Sequence, residues 1–238
     1  MTATYNLNCD AGHFALELQP AGGVLSAPDT GRSIEASAKY AVAKDWLNTY
    51  EISQEQRSDL EQEFLKSLGA AEEFDEPVFR GRCLCKPPDS WRKFGPPSQE
   101  KAKRGRYNAA GTPALYLSSS KNGVKKELGS SKEGKQHWIQ QFRISPELRI
   151  ADGRKVAQDS LAAVVFLLIE RGRELGAPPL LGQRIGQIVM GEFDGLIVPG
   201  VRGNANEPYW NVVVFRPHDS DRWCQLVDKN APPEEVPR

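Results

Sequence analysis

The chain has 238 residues, 39% of them hydrophobic and 26% charged, with 17 prolines and 21 glycines, which suits one sizeable domain with an extension and a large share of loop. Its 31 basic and 31 acidic residues cancel to a formal charge of zero, excluding the overall positive field by which proteins gather nucleic acid or anionic membrane. The longest apolar run, LAAVVFLLI at 161–169, is about half of what a membrane-crossing helix needs, and the opening MTATYNLNCDAGHF lacks the features of a secretory signal. A cytoplasmic protein that neither binds nucleic acid directly nor enters a membrane is expected.

In chain order, HFALEL within the first 32 residues alternates as a short strand does. From Ser33 to Tyr50 the residues Ile34, Tyr40, Ala41, Ala43, Trp46 and Leu47 fall mostly on one helical face. A second helix follows in SQEQRSDLEQEFLKSLG, where Ser53 and Gln56 have capping-box spacing, Leu60, Phe64 and Leu68 recur four apart, and Gly69 closes the run. After the acidic joint AAEEFDEP at 70–77 the period changes to short strands: VFRGRCLC, PALYLS, HWIQQFRI, GQIVM, GLIV and NVVVF. One helix interrupts them, DSLAAVVFLLIERGRELG, capped by Asp159 or Ser160 and stopped at Gly176 before Pro178 and Pro179. Its first half is apolar all round and therefore buried; a strand over AVVFLLI is the alternative. The end, APPEEVPR, reads as a solvated terminus. The division expected is a mainly helical extension over 1–73, a main, strand-rich domain over 74–220 and a tail over 221–238.

Several familiar chemistries lack their parts. GSSKEGKQ at 129–136 has Gly129, Gly134 and Lys135 at phosphate-loop spacing, but Gln136 stands where a Ser or Thr would hold magnesium, and no buried strand feeds the loop. His13, His137 and His218 form no metal pattern, and no G-x-S-x-G elbow occurs. Cys9, Cys83, Cys85 and Cys224 include no Cys-x-x-Cys pair; reduced thiols are expected, since a zinc site from Cys83, Cys85, Cys224 and His218 would have poor ligand spacing. No metal is expected.

The segment GRYNAAGTPALYLSSSKNGVKKEL, residues 105–128, is the most suggestive. Gly105, Arg106, Tyr107 and Asn108 lead into a turn at Gly111, a short strand carrying Tyr116 and then a helix that carries Glu127. This order resembles the RES-domain family. The resemblance extends upstream to VFR, giving Arg80 as the early arginine, and downstream to FDGLIVPGVRG and NVVVF, so that it spans roughly residues 77–216 and leaves the first seventy or so unmatched. One departure stands out: Pro199 is followed by Gly200 where many relatives have serine, so any role of a hydroxyl there would have to be taken over by Ser118, Ser119 or a backbone amide.

The resemblance implies an α+β, ADP-ribosyltransferase-like fold, a bent and mostly antiparallel sheet with flanking helices, preceded here by the two-helix extension. It implies a toxin of a toxin–antitoxin pair that takes NAD as substrate, without a further cofactor, and cleaves its nicotinamide–ribose bond as a glycohydrolase or phosphorylase. The alternatives are transfer of ADP-ribose to a protein and a non-catalytic binding module. A neutralising antitoxin or immunity protein is the implied partner, and the N-terminal helices either cover one face of the sheet or serve a homodimer or the docking of a partner.

These residue types suit that chemistry. Nicotinamide leaves as a neutral molecule, so no general acid is needed, and one carboxylate, Glu127, can accept hydrogen bonds from the ribose and favour the oxocarbenium-like transition state. Arg80 and Arg106 present forked donors suited to phosphate, and Tyr116, with Tyr107, offers a flat apolar ring. Catalytic roles are thus expected for Glu127, Arg80 and Tyr116, and substrate binding for Arg106, Tyr107 and Asn108, with Asn108 supporting the turn as its other reading.

Overall fold

The computed structural model describes residues 3–10, 13–20, 54–68, 74–130, 134–157, 160–170, 180–200, 209–215, 224–226 and 232–236. The helix expected between Ser33 and Tyr50 lies outside them. The chain runs through β1 (Ala3–Asp10), β2 (His13–Pro20), α1 (Gln54–Ser67), β3 (Pro77–Leu84), β4 (Ala114–Ser118), α2 (Lys121–Leu128), β5 (Gln136–Ile144), β6 (Ile150–Asp152), α3 (Leu161–Glu170), α4 (Leu181–Glu192), β7 (Gly195–Pro199), β8 (Trp210–Phe215), β9 (Cys224–Leu226) and β10 (Glu234–Val236), with 3-10 turns at Trp91–Phe94 and Gln99–Lys101. No helix among the described residues is long and apolar enough to cross a membrane.

Two compact units result, both discontinuous in sequence: Met1–Gly69 with Lys155–Gly182, and Ala70–Arg154 with Gln183–Arg238. Residues 155–182, expected within a 74–220 domain, group with the first unit, and 221–238 group with the second. In the first unit β1 and β2 form an antiparallel hairpin in register from Ala3↔Pro20 to Asp10↔His13. Helix α1 carries Glu55 in its first turn and Lys66 in its last, signs that complement the helix dipole. Phe64 of α1 meets Phe166 of α3 edge to face at 6.1 Å. Residues Leu161 to Phe166 are all buried, as an all-round apolar helix requires, and α3 is a helix, not a strand, over AVVFLLI.

The second unit is α+β. Among the described residues it forms one eight-stranded sheet in the order β10-β5-β3-β4-β8-β7-β6, with β9 also on β5; its pairings are antiparallel except β6 with β7. Val78, Leu115, Leu117, Phe142, Ile197, Val212 and Val214 form the largest part of one buried cluster, closed by Phe94 from the first 3-10 turn. A smaller cluster joins Val124 of α2 to Ile139, with Phe79 and Leu128 against it.

Two expectations are corrected here. GQIVM is the second half of helix α4, because Leu181, Ile185 and Val189, four apart, are all buried; a five-residue window conceals that period. The tail is not merely solvated: Glu234–Val236 pairs with Trp138 and its neighbours, and Cys224–Leu226 pairs further along the same edge of β5. Those short strands satisfy edge N–H and C=O groups that would otherwise stay unpaired. Lys121 pairs with Glu234 at the same place.

The joint between β3 and β4 positions the site. β3 pairs with β5 over eight residues and β4 with β8 over five, but β3 and β4 share the single pair Phe79↔Ser118. Beyond that pair the strands part, and Arg80 and Tyr116 flank the opening.

Candidate functional site

A cavity of about 590 Å³ lies where β3 and β4 separate, within the roughly 300–1,000 Å³ typical of small-molecule sites. Arg80, Arg106, Tyr107, Tyr116 and Glu127 all line it. So do Arg104 and Asn211, which the sequence reading had not singled out for a site. Asn108 lies behind the wall.

The loop before β4 is locked by its own polar groups. Asn108 is only 3% exposed, and its Nδ2 donates to the carbonyls of Lys103, Ala109 and Thr112 at 3.0, 3.0 and 2.9 Å. Its Oδ1 accepts from the Tyr116 hydroxyl at 2.8 Å, while that hydroxyl accepts from the Tyr107 amide at 3.0 Å. Asn108 therefore supports the turn, its other reading, and is not among the residues that line the cavity. Gly105 is required by the closeness of the lock: a Cβ there would fall 2.3 Å from Asn108 Oδ1 and 2.5 Å from the Tyr116 hydroxyl. Gly111, at φ 78°, makes the turn that a side chain would strain.

Helix α4 braces the same loop. Gln183 Nε2 donates to the Gly105 carbonyl at 3.3 Å, and Gly186 lies so near the Tyr107 carbonyl that a Cβ would come within 1.8 Å of it. The lock buries the Tyr116 hydroxyl, whose pKa burial pushes up to about 12 against the opposing pull of the Tyr107 amide and Arg106. At neutral pH it remains protonated, able to donate to Asn108 while accepting from Tyr107.

Another part of the lining carries the carboxylate. Ser120 caps α2 through its Oγ, which accepts from the Gly123 amide at 2.9 Å, and Gly129 at φ 68° ends the helix. Val124 and Leu128 press on β3, where Gly81 makes room: a Cβ there would lie 2.2 Å from Val124 Cγ1. Glu127, one position before Leu128, thereby borders the cavity. Its Oε1 accepts from the Tyr209 hydroxyl and from Asn211 Nδ2, both at 2.8 Å.

Three guanidinium groups border the same space. Arg80 Nη1 is 3.5 Å from the Tyr116 carbonyl, whereas Arg104 and Arg106 are exposed. Arg82, two residues beyond Arg80, does not line the cavity; it donates to the Gly95 carbonyl at 3.1 Å, and burial lowers its pKa. The arrangement can hold an anionic ligand at the arginines, with a carboxylate acceptor in the same cavity.

A family model for the RES domain matches residues 82–232. The chain belongs to the RES-domain family. The match takes in well over half of this RES-domain protein and covers Arg106, Tyr116 and Glu127, and it begins two residues after Arg80, whose place in the cavity rests on geometry. No curated protein is similar enough to match. Of the two serines considered as substitutes for the hydroxyl missing at Gly200, Ser119 Oγ accepts from the Trp210 amide at 3.0 Å. Ser118 lines the cavity, and its buried Oγ has no hydrogen-bond partner among the described residues.

Nothing local marks Tyr209 and Asn211: an aromatic two residues before NVVVF and the amide that opens it carry no spacing signal. Arg104 was hidden in a basic stretch that reads as a solvated loop.

Proposed function

We propose that this RES-domain protein consumes NAD in an ADP-ribosyltransferase-like cleft, breaking the bond between nicotinamide and ribose. Arg80 and Arg106, with Arg104 beside them, hold the pyrophosphate through forked donors. The rings of Tyr116 and Tyr107 give an apolar face to a base or to nicotinamide. Glu127 accepts hydrogen bonds from the ribose and favours positive charge as it develops at the anomeric carbon. The electron pair of the broken bond leaves with nicotinamide, which becomes neutral. Water or phosphate then adds to that carbon, and the water reaction releases one proton.

One observation supports this reading above the others: residues far apart in sequence bring three arginines and one hydrogen-bonded carboxylate to a single cavity. As a toxin, the protein would need a neutralising partner that fills or covers that cleft. The deciding experiment incubates purified protein with NAD, with and without phosphate, and identifies the products by chromatography. Free nicotinamide with ADP-ribose marks hydrolysis, and a phosphorylated ADP-ribose appearing only with phosphate marks phosphorolysis. Label that accumulates on protein marks transfer, and absence of nicotinamide release under every condition overturns the proposal.

A further inference from the structure

Tyr209 stands just before β8, is 5% exposed, and places its hydroxyl 2.8 Å from Glu127 Oε1. Its ring occupies a slot formed where two side chains are missing. A Cβ on Gly200 would fall 2.3, 2.5 and 2.5 Å from three ring carbons, and one on Gly123 would fall 2.6 Å from Cδ2. Neither glycine is among those with positive φ, so the aromatic ring, not the backbone conformation, excludes a side chain at these positions. The Gly200 amide donates to the Tyr209 carbonyl at 2.8 Å, tying the two backbones together. On the ring itself, the Lys126 ammonium lies 5.9 Å from the centroid.

We propose that Tyr209 is a positioning residue for Glu127 and that Gly200 is the residue that makes its position possible. This rests on the reading of Glu127 as the carboxylate of the reaction. A side chain at 200 and the ring of Tyr209 are mutually exclusive in this packing, which gives the Pro199-Gly200 sequence a physical cause. A free glutamate side chain samples many rotamers, and immobilising it costs conformational entropy. The Tyr209 hydroxyl, with Asn211 on the same oxygen, sets the carboxylate before substrate arrives, so that it need not reorganise as charge develops.

Two variants separate the hydroxyl from the slot. Tyr209→Phe keeps the ring and deletes the donor, while Gly200→Ala keeps the donor and displaces the ring. Each lowers kcat about ten- to a hundredfold, the scale seen for partners that orient a reacting group, with KM changed by less than about threefold. The double variant falls no further than Tyr209→Phe, because both changes remove one contact. Crystal structures of the two single variants show the Glu127 carboxylate moved from its wild-type place.

A folded Tyr209→Phe protein with wild-type kcat, or a Glu127 carboxylate unmoved in its crystal structure, overturns the proposal. If Gly200→Ala fails to fold, Tyr209→Phe alone decides. If the wild-type protein releases no nicotinamide, the NAD reading fails, and the carboxylate positions decide the role of Tyr209 by themselves.

Discussion

The loop wall of the cavity, from Lys103 to Tyr116, uses its polar groups on itself: Asn108 bonds three nearby carbonyls and the Tyr116 hydroxyl, all within eight positions. The carboxylate wall does the reverse, bringing Tyr209 and Asn211 from 82 and 84 positions away onto one oxygen of Glu127. Residues that look alike as a sequence motif therefore divide into those that hold a loop together and those that face the cavity. Asn108, Gly105 and the Tyr116 hydroxyl keep a loop in shape so that Arg106 borders the cavity, and Glu127 borders the same cavity with its carboxylate held from β8 and its approach.

The sharpest way to break that division is Glu127→Gln. It should lower nicotinamide release by at least about a thousandfold, the upper scale for removing one electrostatic contact to a transition state, with an unchanged melting temperature. Full turnover in the folded variant would remove the carboxylate wall from the chemistry. On the loop wall the order of effects reverses. Asn108→Ala leaves several buried partners unsatisfied and should cost about 3 kcal/mol of stability, read from denaturant titration, and its residual folded fraction should still turn over. A stable Asn108→Ala protein that is inactive would make Asn108 a substrate ligand after all.

Arg106→Lys sharpens the comparison at a smaller scale. Replacing a planar fork by a point charge weakens phosphate contact, so KM should rise about tenfold with kcat little changed, as measured by steady-state kinetics. Tyr116→Phe should cost about 2 kcal/mol, because it removes two hydrogen bonds, one given to Asn108 and one received from the Tyr107 amide. Its clearer signature is in pH dependence. The folded pKa of about 12 exceeds the ordinary value of 10.0, so folding favours the protonated phenol; that contribution is complete below pH 10 and is lost as pH rises toward 12. The wild-type protein should lose stability across that window more steeply than Tyr116→Phe.

The legibility of the site follows the same line. Gly105, Arg106, Asn108, Tyr116 and Glu127 stand in order within one stretch because the loop lock and α2 are local structures, formed by contacts between near neighbours. Arg80 was readable only through the family resemblance at VFR. Tyr209, Asn211 and Gly200 were not, since their meaning arises only when β8 lies beside β4 and the Tyr209 ring reaches α2. The fold shows a parallel contrast. A helix carrying Glu127 was expected after the Tyr116 strand, and α2 is that helix, its buried Val124 and partly buried Leu128 a turn apart. The three-residue strands β9 and β10 were missed, because a segment that short has no measurable period and becomes a strand only by finding an open edge on β5.

Local pattern alone determined the switch from helical to strand periodicity, the loop and helix that bear Arg106 and Glu127, and the family to which the chain belongs. Only tertiary structure decided which arginines border the cavity, that α4 braces the Gly105 loop, and that one carboxylate oxygen receives a phenol and an amide from β8 and its approach. The reason is one of range. Hydrogen bonds and side-chain spacing within a turn or a helix are written in neighbouring residues, whereas a cavity exists only where strands distant in sequence pair once, at Phe79 and Ser118, and then separate.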